Sequence, residues 1–239
     1  FVRGLIVLYE SVSYGMRMLM RSADVQLPAE SRQGTSSGAT NTIAMGAALV
    51  TALVVFIGIP YVVTQALHGA IESSVWLNVT EGLFRLALFL GYIAAISFLP
   101  DIRRVFAYHG AEHMTIHAFE HGDSLTPERI EPYPTAHPRC GTAFLLLVVF
   151  ISIVLFAFVP RVNVVVDVFT RLLLVVPVAS ISYEALRLGA RYEGHPLVAL
   201  LVAPGLLLQK ITTRRPDHGM IEVAVASLEE AIAGDAEAA

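Results

Sequence analysis

The chain has one cysteine in 239 residues, which excludes an internal disulfide framework and leaves Cys140 free to be a ligand, a nucleophile or plain packing. Charge is scarce as well. Only 15% of residues are Asp, Glu, Lys or Arg, against about 25% in average soluble domains. The net charge of -4 carries no basic excess, so nucleic acid is not an expected partner. No internal repeat is present, and Val2-Arg3-Gly4-Leu5-Ile6-Val7 is too short and poorly flanked for a signal peptide. What fills the chain instead is apolar, 55% of residues gathered into long runs, and this places it among membrane proteins.

Four segments, 42–66, 78–100, 141–160 and 164–188, each approach the roughly 20 apolar residues that cross a bilayer. Basic residues orient them. Arg3, Arg17, Arg21 and Arg32 precede the first segment. Arg103, Arg104, Arg129 and Arg139 separate the second from the third, and Arg187, Arg191, Lys210, Arg214 and Arg215 end or follow the fourth. The loop after the first segment has no Lys or Arg, and the turn after the third has only Arg161. Both termini and the loop after the second segment are therefore expected in the cytoplasm.

The rest of the chain reads as helices arranged around those spans. In residues 1–23, Leu5, Leu8, Val12, Met16, Leu19 and Met20 recur at helical spacing, which predicts an amphipathic helix along the interface or against the bundle. Residues 24–41 are expected to be loop around Ser36-Ser37-Gly38. Pro100-Asp101 ends the second span, and Asp101 is a good N-cap for a cytoplasmic helix over 102–121. Pro127, Pro132, Pro134 and Pro138 make 122–140 a loop, so 102–140 is a cytoplasmic helix-loop. Residues 196–209 are apolar but interrupted by Pro204-Gly205, and read as an interfacial or re-entrant hairpin. Asp217 caps a last amphipathic helix over 217–233, with Ile221, Val225, Leu228 and Ile232 on one face, and a disordered tail is expected from Gly234. The fold class is thus all-α, one polytopic membrane-embedded domain with about four transmembrane helices, in contact with the lipid bilayer.

The spans themselves carry charge. Glu81 and Arg85 are four apart on the second, Asp167 and Arg171 four apart on the fourth, and both pairs fall towards the outer ends. Ionisable groups in spans usually face the interior and pair, so one buried cluster joining the two helices is expected, with two separate local pairs as the alternative.

The stretch from His109 to Cys140 holds the chemistry. His109 and His113 share a helical face, and two imidazoles so placed can bind one zinc ion. Glu112 completes His-x-x-Glu-His, the inverted zinc-peptidase spacing in which the acid is the general base. Each four-residue step drifts about 40° around the helix, so His117 and His121 are expected to be solvated or supporting. His137 and Cys140 can supply further ligands, a thiolate suits zinc, and Cys140 can alternatively be a nucleophile with His137 or His113 as its base. Glu184, expected on the same side of the membrane, is a third ligand or an ion-pair partner of Arg187 or Arg191. Thr213 and Arg214, in Lys210-Ile211-Thr212-Thr213-Arg214-Arg215, suit a phosphate head group or are ordinary cytoplasmic positive charge.

Tyr108-His109-Gly110-Ala111-Glu112-His113, Thr135-Ala136-His137-Pro138-Arg139-Cys140-Gly141-Thr142, Ile181-Ser182-Tyr183-Glu184 and Gln209-Lys210-Ile211-Thr212-Thr213-Arg214 together resemble the YqhQ-like bacterial membrane proteins, a domain family of unknown function. The resemblance runs from Arg3-Gly4 to Ile221-Glu222-Val223-Ala224. It implies a bacterial cytoplasmic (inner) membrane location and a metal-dependent enzyme, a label resting on the same His, Glu and Cys residues. Met114 stands where the family usually has Lys. Members usually carry a Gly-rich segment ahead of the position of Phe1, so a longer complete protein is expected.

The expected activity is metal-dependent hydrolysis of an amide or ester bond in a lipid or membrane protein. A divalent cation, zinc, would be held by His109 and His113 with Glu184, Cys140 or His137, and Glu112 would be the catalytic base. Two other readings fit the same residues. One is a non-catalytic scaffold or quality-control factor with a structural metal, working with other membrane proteins. The other is an ion or metal transporter, which needs a polar path the apolar spans do not offer unless oligomerisation builds one.

Overall fold

A computed structural model of the chain describes residues 2–26, 37–67, 69–192 and 195–238. The described residues form helices and connecting turns, with no strand among them. In order they are α1 (Val2–Gln26), α2 (Ser37–Leu53), a π-helical turn (Val54–Gly58), α3 (Ile59–Gln65), α4 (Ser74–Ile96), α5 (Pro100–His121), α6 (Pro127–Ile130), α7 (Gly141–Ala157), α8 (Val164–Arg191), α9 (Pro196–Thr212) and α10 (His218–Ala238). Among the described residues three helices are long and apolar enough to cross a membrane: Ile43–Gln65, Ser74–Ile96 and Val164–Gly189. At 1.5 Å per residue the 23-residue helices reach about 35 Å, beyond the roughly 30 Å hydrocarbon core. The expected third span is the shorter α7, 17 residues ending at Ala157, because Pro160 follows within one turn. The protein is an all-α membrane protein.

The described chain divides into two compact units, Phe1–Leu88 with Val148–Glu184, and Phe89–Leu147 with Ala185–Ala239. In the first unit, Pro60 shapes the entry helix. Proline has no N–H to give to the carbonyl four residues back, Phe56. The backbone widens into the π-turn just before it, where Ile59 N–H bonds Val54 O. The Phe56 carbonyl accepts Arg85 Nε–H at 2.8 Å.

That guanidinium belongs to a buried cluster centred on Glu81. Arg85 Nη2 lies 2.7 Å from Glu81 Oε1, and Arg171 forks onto both carboxylate oxygens at 2.9 and 2.8 Å. Arg161, from the α7–α8 turn, adds a fourth member at 2.6 Å and also bonds Asn78 Oδ1. Asp167 does not pair with Arg171 through its carboxylate. The carboxylate takes Tyr61 O–H and Val162 N–H, both at 2.9 Å, while its backbone carbonyl accepts Arg171 Nη1. Because α4 starts at Ser74, Arg85 sits about 16 Å along the helix, deeper than the sequence reading placed it.

The second unit contains α5. Pro100 occupies the first helical position, where its missing N–H costs nothing, and the capping residue is Leu99 in extended conformation. Asp101 therefore lies inside the first turn, where its charge favours the helix dipole, rather than at the cap. The helix stops at Gly122, whose φ of 72° is the left-handed conformation that an L side chain resists. Ala111, Met114, Ala118, Ile130 and Ile221 form the core that ties α5 and α6 to α10. Met114 is fully buried there.

Residues 196–209 are not a hairpin. They run in one helix, α9, started by Pro196 and capped by the His195 ring, which accepts Leu197 N–H. Pro204 removes one hydrogen bond without breaking the helix, and Gly205 is where it crosses α7: a Cβ there would come 2.7 Å from Ala143 Cβ. Asp217 Oδ1 accepts Met220 N–H at 2.9 Å and starts α10, whose backbone stays helical to Ala238 instead of ending at 233. Its Ala- and Glu-rich end favours that continuation. At the amino end, 24–26 and 37–41 are helical rather than loop, and 27–36 lie outside the described residues.

Candidate metal centre

The second unit brings His109, His113 and Cys140 together. One ring nitrogen of each histidine and the Cys140 sulfur lie within 4.8 Å of one another. His109 Nδ1–H donates to the Thr212 carbonyl at 2.8 Å, and His113 Nδ1–H to the Thr135 carbonyl at 2.6 Å. Committing both Nδ1 atoms to backbone carbonyls turns both Nε2 atoms towards the sulfur, the arrangement that outer-shell partners impose on metal-binding histidines. His109 Nε2 is 3.2 Å from Cys140 Sγ. Tetrahedral zinc, with bonds of 2.0–2.3 Å, needs ligand edges of about 3.3–3.6 Å, so this donor set fits such an ion with small adjustments.

The thiol is held as an anion. Burial alone would raise the Cys140 pKa, but hydrogen bonds from His109, His113 and the hydroxyl and N–H of Thr142 outweigh it and push it down to about 5. Burial likewise opposes the His109 imidazolium. Its bonds to Cys140 and Thr212, with the negative charge of Cys140 and Glu112, overcome this and raise its pKa. With metal chelated, the protein's one thiol should therefore show its ultraviolet thiolate absorbance appearing at a pH near 5. Titrating wild type against Cys140→Ser measures it, and a midpoint at the ordinary 8.5 would contradict the geometry. The folded value lies below the ordinary thiol value, so the thiolate's contribution to stability is present above the ordinary value and is lost as the pH falls through about 5.

His137 does not join this trio. It lies with His117 and Glu120 in a second group whose donor atoms are also within 4.8 Å of one another. Its backbone N–H and carbonyl are both gripped by the amide of buried Gln209, at 2.8 and 2.9 Å. Its Nδ1 accepts Arg139 N–H, so its proton sits on Nε2 and faces Glu120 at 3.4 Å. Arg139 pairs with the other Glu120 oxygen. Burial, with His117 and His113 nearby, keeps His137 below the ordinary histidine pKa in spite of Glu120. His117 gives its Nε2–H to the Ala136 carbonyl and stacks on Tyr133, while His121 is exposed.

Glu112 is exposed and faces a cavity of about 320 Å³ lined by both groups, including His109, His113, Cys140, Glu120 and His137. Glu184 is half-buried on α8 in the first unit and is in neither donor group. Thr213 is buried, donates to the Gln209 carbonyl at 2.7 Å and braces Thr135, while Arg214 is exposed. The sequence reading missed Glu120, Arg139 and the carbonyls of Thr135 and Thr212. Glu120 was within reach, three residues after His117 on one face, whereas carbonyl partners leave no mark on residue type.

The chain belongs to the family described as "Protein of unknown function (DUF1385)", which matches residues 1–234. It is 39% identical over 150 residues to "Uncharacterized protein YqhQ" of Bacillus subtilis (strain 168), covering 63% of this chain and 47% of that protein. The match thus spans about half the length of that relative. No solved structure matches the chain.

Proposed function

We propose that the second unit is a metal-dependent hydrolase centre, with zinc held by His109, His113 and Cys140 at the cytoplasmic face of the inner membrane. The observation that carries this reading is the pair of Nδ1–carbonyl bonds that aim two imidazoles at a buried thiolate. Three protein donors leave a fourth position of a tetrahedral ion for solvent or substrate, as catalytic zinc sites require. The bound ion would supply a Lewis acid and hydroxide near neutral pH. Glu112, beside two of the ligands and facing the cavity, takes the proton of the attacking water and returns it to the leaving group. The second group is placed as a supporting wall. Both ring nitrogens of His137 are engaged and Arg139 already balances Glu120.

Elemental analysis of purified protein is expected to find about one metal per chain, absent from the His109→Ala/His113→Ala double variant. Glu112→Gln is expected to keep the metal and lose about 100-fold or more of turnover towards ester or amide substrates. Near-zero metal in wild type and double variant alike, after purification without histidine tag or chelator, would overturn the reading. A silent Glu112→Gln with full metal would favour the scaffold. One further reading has a specific observation behind it. The 3.2 Å contact between His109 and the Cys140 thiolate suits a cysteine nucleophile, which turnover without metal would select.

A further inference from the structure

Beside the metal centre, α5 and α10 leave an apolar cleft of about 480 Å³ lined by Val105, Tyr108, Ile116, Val223, Ala224 and Leu228. It shares His109, Glu112 and Ile116 with the smaller cavity, so the two spaces meet at the candidate base. One residue of the cleft's lining carries the one buried side-chain polar atom without a hydrogen-bond partner among the described residues. This residue, Thr115, is 1% exposed, and its hydroxyl makes no bond in the protein. A buried hydroxyl left so is costly, and a helical threonine usually escapes the cost by bonding back to the preceding turn.

The chemistry of the walls selects the occupant. An extended peptide brings an N–H and a C=O at every residue, each needing a partner once buried. Two α-helices have spent their backbone groups internally and offer none in mid-helix. An aliphatic chain needs no partner and gains from leaving water along its whole length. We infer that this cleft binds a fatty-acyl chain of a membrane lipid ester, with the ester next to Thr115 and Glu112. The substrate assignment rests on the hydrolase reading, while the binding assignment does not. In the step this implies, water oxygen bonds to the acyl carbon as the acyl carbon–alkoxy bond breaks. The water proton passes through Glu112 to the departing alcohol, leaving a fatty acid and the alcohol.

The test uses the full chain in phosphatidylethanolamine–phosphatidylglycerol vesicles carrying a phospholipid with a diazirine in its acyl chain. After illumination, mass spectrometry maps the labelled peptides. Label is expected on α5 around Ile116 and on α10 around Val223–Leu228, besides the spans. Ser227 is exposed on the cleft rim, so Ser227→Trp is expected to fold normally, with an unchanged unfolding midpoint, and to lose at least fivefold of the cleft label. Val223→Asp is expected to do the same, and Glu230→Trp, outside the cleft, to change nothing. Thr115→Val is expected to reduce labelling by an ester-linked chain more than by an ether-linked one. Label confined to the spans, or undiminished in Ser227→Trp, overturns the inference, as does protection of the cleft by a hydrophobic peptide and not by lipid. Labelling does not require metal. Cleft label in protein without metal therefore sinks the hydrolase reading alone, and metal without cleft label sinks the acyl inference alone.

Discussion

Glu81→Gln is expected to be the most destabilising single substitution in the first unit. The Glu81 carboxylate is 1% exposed and receives three guanidiniums, from Arg85, Arg161 and Arg171. An amide keeps the shape and one acceptor oxygen but removes the charge that balances them, leaving buried arginines opposed by Asp167 alone, which bonds neutral donors instead. Removing one partner of a buried ion pair typically costs about 3–5 kcal/mol, most of it the uncompensated charge left behind. Asp167→Asn is the informative comparison. Among the described residues its carboxylate accepts Tyr61 O–H and Val162 N–H, which an amide oxygen can still do for one of the two. Its loss should stay near the 1 kcal/mol of an ordinary hydrogen bond. Urea or thermal unfolding in lipid vesicles, followed by circular dichroism, reads both. Equal small shifts would mean that water or lipid phosphate reaches the guanidiniums.

The parts of this molecule that were legible in sequence are those with a short period. Apolar runs marked the three long apolar helices and the shorter α7, and four-residue spacing put His109 beside His113 and Glu81 beside Arg85. Asp217 before an apolar stripe marked the start of α10. What stayed hidden is tertiary. Arg161 reads as loop charge until the α7–α8 turn folds it onto Glu81. His137 reads as a partner of Cys140 at three residues' distance. The buried Gln209 holds its backbone instead, and its ring goes to Glu120. Pro204-Gly205 reads as a break because local propensity counts the lost hydrogen bond but not the helix crossing that a missing side chain permits. Likewise nothing in the 42–66 run marks the Phe56 carbonyl as the acceptor for Arg85.

On the proposed metal-centre reading, Gly110→Ala should weaken metal binding without touching a candidate ligand. Gly110 lies between His109 and His113 on the face of α5 against which residues 212–214 run. A Cβ at that position would overlap the Arg214 carbonyl oxygen. A backbone atom cannot swing aside as a side-chain end does, so the whole segment must lift. It is tied down by Arg214 N–H to the Phe106 carbonyl at 2.9 Å and by the Thr212 carbonyl that orients His109. Lifting it frees the His109 ring to rotate its Nε2 away from Cys140. Loss of an outer-shell partner of this kind lowers metal affinity about 10–100-fold, and the overpacking itself costs about 1–3 kcal/mol. Competition with a chromophoric zinc chelator measures the first effect and thermal unfolding the second. Gly141→Ala is the control, because it adjoins Cys140 in sequence and a Cβ there meets nothing within 4 Å. If Gly110→Ala holds zinc as wild type does, the Thr212 carbonyl is not what aims His109, and the case for a preorganised centre loses one of its two supports.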